Sequence, residues 1–538
     1  PDTGVGAPAK LRTHSVSDDE SPGVSMKKRI TIHPFLFAVL PVFRLFAASM
    51  DLCTPRVMVA PLIVLACVTF ILWLVLTLLM KSRERAALLL SLLMLLSLSF
   101  LDLTGVVGWA LGRQDCHGIA LVVWGIFLFL MAYLVMRMRS PGNLTKVFNA
   151  TGVFLLVISV VSIAVHSVRQ KATSPTVRST EDTQLPEVGP DAGTARPNVY
   201  YIILDGYARD DILREMYGYD NTEFIDSLRQ RGFYVASKST CNYPQTASSL
   251  ASSLNFQYLD DLAKLVGPNC ASRAPLTGLM QDSRIARFLR QRGYTFVTFS
   301  VGIPHVEIPN ADRYIRTGHL GEFSNWLIDL SVLPEFPGVR QLQYDIHRKS
   351  ILNVLNEIPR TCELEPPIFV LAHILAPHPP FVFGPEGEKK VPAGLFRFAD
   401  ASHFTGGSES LRDEYRRGYR NQLAFISRKV EATIDAILAE SSSPPIIVLQ
   451  GDHGPGSALN WEEPNNISVR ERTAILNAYY LPDGGDKWLY DDITPVNTFR
   501  VILTQYFGTH LELLADKCYF ATWSKPYVFS DVTAETHP

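Results

Sequence analysis

The chain has little charge and no marked excess of either sign. It contains 50 lysines and arginines against 52 aspartates and glutamates in 538 residues, and charged residues make up only 19%. A net charge of −2 excludes the strongly basic composition typical of nucleic-acid-binding proteins. Seven cysteines are too few for a disulfide-based scaffold of this length. The composition therefore predicts no nucleic-acid partner.

Apolar residues, by contrast, are abundant, and they concentrate before residue 167. They make up 47% of the chain, and the mean hydropathy is +0.11. A bilayer core about 30 Å thick needs about 20 apolar residues at 1.5 Å each. Five apolar runs therefore predict five transmembrane helices, over Ile32–Met50, Val57–Met80, Ala86–Gly112, Gly118–Met136 and Val147–Val165. The first is the weakest of the five, because Pro34, Pro41 and Arg44 interrupt it.

The basic residues of the connecting segments predict how these helices are oriented. Lysines and arginines gather before the first run, between the second and third, and between the fourth and fifth. The positive-inside rule then places the N-terminus in the cytoplasm and everything after the fifth helix outside. The predicted organisation is a polar cytoplasmic tail (residues 1–31), a membrane domain (32–166), a Ser, Thr and Pro-rich linker (167–197) and an outer domain (198–538).

Two charged residues lie inside the predicted spans. Arg44 and Asp102 are costly in lipid unless they are paired or reach water. They either pair across the bundle or line a polar cavity, or else Arg44 extends to the headgroups and Asp102 lies near an interface.

The outer domain alternates short apolar runs with amphipathic stretches. Buried strands are predicted at Val199–Leu204, Tyr294–Phe299, Ile368–Leu375, Ile446–Leu449 and Ile475–Tyr480. Helices are predicted at Glu223–Arg231, Ser283–Arg292 and Leu411–Glu440. Strands that alternate with helices favour a doubly wound, mostly parallel α/β/α sheet.

The cysteines allow several disulfides if this domain is outside the cell. Four of them, Cys241, Cys270, Cys362 and Cys518, permit one or two, and Cys241 with Cys270 closes the shorter loop. Cys53 and Cys116 fall near the outer ends of predicted helices and are a further candidate pair. Free thiols are the alternative.

Acidic residues follow directly after two of the predicted strands. Asp205 ends one apolar run, and Asp452-His453-Gly454 ends another. Ligands collect at the carboxyl ends of parallel strands, and carboxylate with neutral imidazole suits a divalent metal such as Zn or Mn. The alternative for each aspartate alone is a cap of the next turn.

Two further segments offer groups for catalysis. Thr246 opens an Ala, Ser and Leu-rich run that resembles a helix start, where the helix dipole and a metal would favour an alkoxide. The alternative is a simple helix cap. His378 lies between prolines after an apolar run and is suited to contacting an anion, whereas His373 lies within the run and is more typical of a core residue.

In this order along the chain, these segments resemble the alkaline phosphatase/sulfatase superfamily. Asp205 is similar to its first metal-binding acid, Asp452-His453-Gly454 to its late metal pair, and Pro377-His378-Pro379-Pro380-Phe381 to its substrate-binding His loop. The segment Asp492–Thr498 is similar to the one that leads into the family's last helix. The resemblance implies a sulfatase-like fold over the outer domain.

The sequence differs from classical sulfatases at two places, and both differences favour one branch of the superfamily. The Cys or Ser followed by x-Pro-x-Arg of classical sulfatases is absent, since the stretch reads Asn242-Tyr243-Pro244-Gln245-Thr246. Asp205 is followed by Gly206 instead of a second acid. Both features, with the five predicted spans, resemble the membrane-bound branch that includes lipoteichoic acid synthases and phosphoethanolamine transferases, in which a Thr is the nucleophile.

That branch implies a multi-pass protein of the bacterial cytoplasmic (inner) membrane with a periplasmic or extracytoplasmic catalytic domain. It also implies a phospholipid donor, a glycan or lipid acceptor and a phospho-Thr intermediate. The expected metal ligands, for one divalent ion (Zn or Mn favoured, Mg or Ca the alternatives), are Asp205, Thr246, Asp452 and His453.

The remaining expectations concern substrate contacts and alternatives. His378 and Arg472 would contact the phosphate, and Ser248 and Ser249 are alternative nucleophiles. His373, Asp210 and Asp211 are candidates for a second ligand set. Competing functions are a sulfatase-like hydrolase or phosphodiesterase and a catalytically silent lipid-sensing regulator.

Overall fold

The computed structural model describes residues 30–113, 116–173, 185–187 and 196–536. Residues 1–29 of the predicted tail at 1–31, and most of the predicted linker at 167–197, lie outside these residues. The N-terminal part is helical throughout, with α1 His33–Ala48, α2 Val59–Met80, α3 Arg83–Leu98, α4 Phe100–Leu111, α5 His117–Arg137 and α6 Pro141–Thr173. The helix α6 therefore continues beyond Ser167, where the sequence predicts the linker to begin.

All five predicted spans are helical, but they differ in length and in shape. Three helices are long and apolar enough to cross a membrane: Pro55–Met80, which includes a 3₁₀ turn, His117–Arg137 and Pro141–Arg169. The predicted span Ala86–Gly112 is instead the pair α3 and α4, bent by 55°, and the first span is the shorter helix α1. The described residues thus hold three such helices, or four if the bent pair counts as one.

Neither charged residue in these spans is buried. Arg44 and Asp102 are both exposed on the helix surfaces, and no ion pair joins them in the described part of the chain. Of the two alternatives, the structure therefore gives no support to pairing across the bundle.

The outer domain alternates strands and helices, as the sequence predicts. Its strands are β1 Val199–Leu204, β2 Tyr234–Val235, β3 Thr295–Phe299, β4 Arg313–Ile315, β5 Ile368–Ile374, β6 Ile446–Gly451, β7 Asn477–Tyr480, β8 Tyr519–Phe520 and β9 Ser530–Asp531. Its helices are α7 Asp210–Tyr217, α8 Thr222–Gln230, α9 Thr246–Ser253, α10 Asp260–Val266, α11 Ala274–Gln281, α12 Arg284–Arg290, α13 Glu322–Asp329, α14 Val339–Arg360, α15 Ser402–Thr405, α16 Glu409–Glu440, α17 Asn466–Thr473 and α18 Pro495–Phe507.

Seven strands form one sheet in the order β2-β7-β6-β1-β5-β3-β4. The central strands β6, β1, β5, β3 and β4 are parallel, and β7 and β2 add an antiparallel edge. The predicted mostly parallel sheet is confirmed. Since β1 lies between β5 and β6, the carboxyl ends of these three strands meet at one edge of the sheet.

Helices cover both faces of the sheet, because the strands are buried on both sides. Alternate side chains of a strand point to opposite faces. In β1, Tyr200 and Ile202 pack into one apolar core with α7, α8, α14 and α16, whereas Tyr201 and Ile203 pack into a second core with α9, α11, α12 and α18. The continuous apolar run that predicts β1 thus follows from its position at the centre of an α/β/α domain.

The outer domain contacts the membrane helices through the segment around α13. Phe323, only 2% exposed, packs in a cluster with Val42 and Phe46 of α1. Farther along, the ring of His117 at the start of α5 lies 2.8 Å from Glu335. The outer domain therefore rests directly on one end of the helical part.

All seven cysteines are thiols in this structure. Cys241 and Cys518 are fully buried, and the segments that carry them are joined by a hydrogen bond of 2.9 Å from the Tyr519 amide to the Asn242 carbonyl. Burial raises the pKa of Cys518 most, and the contact with Cys241 is the next largest cause. The neighbour of Cys241 is thus Cys518, and no disulfide joins Cys241 to Cys270, the pair that would close the shorter loop.

Candidate metal and nucleophile site

Three side chains converge where β1, β5 and β6 end. Asp205 directly follows β1, Asp452 directly follows β6, and His373 is the penultimate residue of β5. The parallel register brings them together, because Ile203 of β1 lies opposite both His373 and Gln450. One ligand atom from each of the three lies within 4.8 Å of the others, and all three residues are buried. His373 thus belongs with the predicted acids, not with a separate ligand set.

The hydrogen bonds of this cluster leave several polar atoms free to face a cation. His373 Nε2 is 3.0 Å from Asp205 Oδ2, and Asp452 Oδ1 accepts from the amides of Gly206 at 3.1 Å and His453 at 3.0 Å. Asp205 Oδ1 and Asp452 Oδ2 are buried without a hydrogen-bond partner among the described residues. Two buried carboxylate oxygens in this state are costly unless a positive charge lies between them. The donor set of carboxylate and imidazole fits a divalent metal such as Zn or Mn.

The unprotonated ring nitrogen of His453 faces the same two carboxylate oxygens, Asp205 Oδ1 and Asp452 Oδ2. Its Nδ1 lies 2.9 Å from the Gly454 carbonyl oxygen and donates to it, so the lone pair of the neutral ring is on Nε2. That Nε2 is 3.3 Å from Asp452 Oδ2 and 3.5 Å from Asp205 Oδ1. Burial first, and then Arg472, lower the pKa of His453, which favours the neutral ring. His453 therefore has the charge state and the direction required of a ligand.

A glycine is required at the end of this motif. A Cβ on Gly454 would lie 2.2 Å from the Glu471 carbonyl oxygen, which is closer than any real contact. The backbone of α17 therefore packs directly against the Asp452-His453-Gly454 turn, and this contact fixes where the turn points.

Thr246 brings a hydroxyl to the cluster. It is the first residue of α9, and its Oγ1 lies 3.1 Å from His453 Nε2, to which the hydroxyl donates. Ser249, one turn later, donates from Oγ to the Asp452 carbonyl at 2.7 Å and is buried. Thr246 is only partly buried and lines the cavity described below, whereas Ser248 and Ser249 do not. Among the three hydroxyls that the sequence proposes, Thr246 is the accessible one.

Arg472 lies beside the cluster as a fully buried cation. It is held at the end of α17, a helix that begins with a capping box between Asn465 and Ser468. Its Nε donates to the Pro244 carbonyl at 2.9 Å, its Nη2 lies 3.0 Å from His453 Nε2, and its Nη1 pairs with Asp400 Oδ2. The guanidinium thus connects the Thr246 loop, His453 and Asp400.

Asp400 is a component of the site that the sequence analysis missed. It lies in the loop before α15, and its Oδ1 accepts from Tyr415 at 2.6 Å. Burial opposes its charge, but Arg472 and then His378 hold the pKa of Asp400 well below its usual value. The loop shows no apolar periodicity and no metal-ligand spacing, so nothing local in the sequence marks this aspartate.

His378 lies on the other side of Asp400. Its Nε2 is 3.7 Å from Asp400 Oδ2, and its Nδ1 donates to the Pro379 carbonyl at 2.5 Å. The His378 amide donates to the Asp205 carbonyl at 3.0 Å, which ties this loop to the end of β1. Burial would raise the pKa of Asp205, but His378, followed by His373 and His453, lowers it below its usual value. Asp205 is therefore a carboxylate.

A cavity of about 300 Å³ joins these groups. Its lining includes the predicted site residues Asp205, Thr246, His378, His453 and Arg472, together with Asp400. Leu52, from the loop after α1, and Trp326 of α13 also line it. The cavity therefore extends from the metal cluster toward the junction with the membrane helices.

The other acids proposed for a second ligand set lie elsewhere. Asp211 pairs with Arg209 at 2.7 Å, and Asp210 pairs with Arg214 at 2.5 Å. Both line a different cavity beside α7 and α8. Their positions at the start of α7 explain them as charges that complement a helix N-terminus.

The outer domain also matches a known family model. The model of the Sulfatase family matches residues 197–499, more than half of the chain. The chain belongs to the sulfatase family. The predicted superfamily is confirmed, and the matched range contains the whole convergent site. No curated protein sequence matches the chain significantly.

Solved structures similar to this sulfatase-family chain include two EptC periplasmic domains and a sulfatase. The periplasmic domain of EcEptC from Escherichia coli is 14% identical, with a TM-score of 0.43 over 65% of this chain and 97% of that one. The periplasmic domain of phosphoethanolamine transferase EptC from Campylobacter jejuni is 13% identical, with a TM-score of 0.37 over 60% and 92%. BT1596, a 2-O GAG sulfatase, is 14% identical, with a TM-score of 0.37 over 61% and 77%.

Proposed function

We propose that this sulfatase-family protein transfers a phosphorylated headgroup from a membrane phospholipid to an acceptor hydroxyl, through a phospho-Thr intermediate on Thr246. The observation that carries the proposal is the position of the Thr246 hydroxyl. It lies 3.1 Å from His453 Nε2, at the start of α9, in the cavity that Asp205 and Arg472 also line. The helix start and the guanidinium both favour negative charge on an incoming phosphate.

In the first half-reaction, the Thr246 oxygen in its deprotonated form attacks phosphorus and the bond to the diacylglycerol oxygen breaks. Arg472 contacts the phosphate oxygens, and His378 protonates the departing alcohol. Asp205, Asp452, His453 and Thr246, with His373, would hold a divalent metal. When bound, such an ion would lower the pKa of the threonine hydroxyl and offset phosphate charge. In the second half, the acceptor hydroxyl attacks phosphorus, the bond to Thr246 breaks, and His378 takes the acceptor's proton.

The contact between the two parts of the chain supports a lipid donor. The Arg273 amide donates to the Asp51 carbonyl at 2.7 Å, which joins the outer domain to the loop after α1. Leu52 in that same loop lines the cavity. A phospholipid could therefore present its phosphate to Thr246 while its acyl chains stay in the bilayer. We further propose the orientation that this requires, with the N-terminus in the cytoplasm and the cavity outside the bacterial inner membrane.

Product analysis tests the proposal. Full-length protein is incubated with phospholipid vesicles labelled in the headgroup, and the released diacylglycerol and the fate of the label are measured. We expect label on the protein and then on an added glycan or lipid acceptor. Thr246→Ala should abolish diacylglycerol release, whereas Ser248→Ala, which changes a buried neighbour outside the cavity lining, should retain it. Normal turnover by Thr246→Ala would refute the assigned nucleophile.

A hydrolase is the second candidate, because the family match itself is to sulfatases. The same experiment separates the two functions, since a hydrolase releases the label as a free phosphate ester with or without acceptor. A protein that neither binds metal nor releases diacylglycerol would instead support the silent lipid-sensing regulator.

A further inference from the structure

An exposed apolar surface lies on the outer domain, in the stretch that runs from the end of α13 into α14. Four large apolar side chains there are between 38% and 57% exposed, namely Leu330, Leu333, Phe336 and Leu342. We call them the 330–342 surface. The stretch that carries them contains only two charged residues, Glu335 and Arg340. Apolar side chains that cluster on the outside of a domain are typical of a surface that contacts a partner or a membrane.

The buried side of the same stretch packs against the membrane helices, within the length of α5. Val332 is 4% exposed and lies in one cluster with Ala120 and Trp124 of α5. Three residues later, Glu335 lies 2.8 Å from the ring of His117, the first residue of α5. Because a helix rises 1.5 Å per residue, Ala120 and Trp124 lie about 5 and about 10 Å along α5 from His117. Val332 therefore reaches past the end of a membrane span.

A second helix fixes the stretch at this depth. The Val332 amide donates to Ser97 Oγ of α3 at 3.4 Å, so the stretch touches α3 as well as α5. Leu330 and Leu333 flank Val332 in the chain and are exposed at the same level, where lipid surrounds the helices of a membrane protein. Apolar side chains of interfacial segments enter the bilayer to about 5–10 Å, which is the depth that Val332 marks on α5.

The charges of the stretch suit the same environment. Glu335 is engaged by His117, so its carboxylate does not face lipid alone. Arg340 lies beside the surface, with its Nη2 at 3.5 Å from the Pro334 carbonyl. Basic groups next to inserted apolar side chains attract lipid phosphates at the level of the headgroups. A polar protein partner would find few groups to bind here.

The helix α13 connects this surface to the cavity of the site. Trp326 lines the cavity, and Leu330 follows four residues later, which is about one turn of helix. Leu52, from the loop after α1, lines the same cavity. A lipid headgroup at the 330–342 surface is thus close to the membrane side of the cavity.

We propose that the 330–342 surface inserts into the leaflet on which the outer domain rests, among the headgroups and the first acyl carbons. Its partner is the bilayer and not a second copy of the chain, because the surface continues the contact that Val332 makes with α3 and α5. Insertion holds the cavity against the headgroup layer. This membrane contact is independent of the reaction assigned to Thr246.

Photolabelling of the wild-type protein tests the insertion. Full-length protein is reconstituted into phosphatidylethanolamine and phosphatidylglycerol vesicles with a phospholipid that carries a diazirine, either near the glycerol or at the end of an acyl chain. After illumination and digestion, mass spectrometry maps the lipid adducts. We expect the peptide that covers 330–342 to be labelled by the first lipid and not by the second, because interfacial segments enter only about 5–10 Å. The middle of α2, where Val68 is exposed, should be labelled by the second.

A site-specific probe provides a matched comparison. One variant is Phe336→p-benzoylphenylalanine, and the control is Trp488→p-benzoylphenylalanine, at an aromatic residue that is 57% exposed. Trp488 follows β7, whose last residue Tyr480 lies opposite Ile447 near the start of β6, so it lies toward the edge of the sheet away from the site. We expect lipid adducts on the Phe336 probe and none above the dark sample on the Trp488 probe. If the Phe336 variant does not fold, Leu342 carries the same probe.

Three results would overturn the proposal. The first is an unlabelled 330–342 peptide in a sample whose α2 is labelled. The second is an adduct between two protein chains at Phe336 in place of the lipid adduct, which would assign the surface to a second copy. The third is equal lipid labelling of the Phe336 and Trp488 probes, which would make the contact unspecific. None of these measurements requires turnover, so they decide the membrane contact even if the proposed transfer reaction fails.

Discussion

Removal of the charge on Asp400 should destabilise the outer domain by an amount that its contacts predict. In Asp400→Asn the side chain keeps its shape, and Oδ1 can still accept from Tyr415. Arg472, however, loses its only carboxylate partner among the described ion pairs and is left as a buried cation. Removing one partner of a buried pair costs about 3–5 kcal/mol.

The loss should be visible as a lower melting temperature. A loss of one kcal/mol in the free energy of unfolding lowers the Tm by about 2–4 °C in domains of 150–250 residues, and by less in larger ones. We therefore expect the Tm of Asp400→Asn to fall by roughly 5–10 °C. Thermal unfolding of the full-length protein in detergent, followed by circular dichroism, measures it. The second variant Asp400→Asn/Arg472→Gln removes both charges and should recover part of the loss, because no unpaired cation remains.

An exposed ion pair provides the control. Asp413 lies 3.5 Å from Arg416 on the surface of α16 and is 69% exposed. Such pairs contribute little, so Asp413→Asn should leave the Tm unchanged within error. If Asp400→Asn is as stable as Asp413→Asn, Arg472 does not depend on Asp400, and the electrostatic account of the site is wrong.

Three further predictions follow from the same contacts. Chelation of divalent metal should lower the Tm, and Zn or Mn should restore it, since an ion that binds only the folded state stabilises it; an unchanged Tm with and without chelator would argue against the metal site. Ser249→Ala should lower the Tm by leaving the Asp452 carbonyl without its donor, yet preserve the Thr246-dependent reaction, which a labelled-lipid assay checks. Asp211→Asn should leave bound metal unchanged by elemental analysis, because Asp211 lines a separate cavity; a loss of metal would revive it as a ligand.

Much of the fold was predictable because it depends on local patterns. The apolar run at Val199–Leu204 predicts β1 without error in its bounds, and Ile446–Leu449 falls short of β6 by two residues. The strands β2 and β4, two and three residues long, are too short to show a period and were missed. The break between α3 and α4 falls at Ser99, where no proline or glycine marks it.

The metal cluster was predictable where its residues follow strand ends, and Thr246, His378 and Arg472 were predicted from a helix start, a proline-rich loop and a resemblance. Asp205 and Asp452 stand directly after apolar runs, so a parallel sheet brings them together. His373 lies inside its strand, and its place beside Asp205 depends on the register of β5 against β1, which the sequence alone does not set. Asp400 reaches the site through a loop and an ion pair with Arg472, and no spacing in the sequence foretells such a contact.

Mapping the covalent adduct tests the central claim most directly. Full-length protein is incubated with phospholipid vesicles, stopped with acid, digested and analysed by mass spectrometry for the peptide that contains Thr246. We predict a phosphorylated-headgroup mass on Thr246 that disappears when acceptor is added and is absent from Thr246→Ala. An adduct on Ser248 or Ser249, or diacylglycerol release without any adduct in this peptide, would contradict the account.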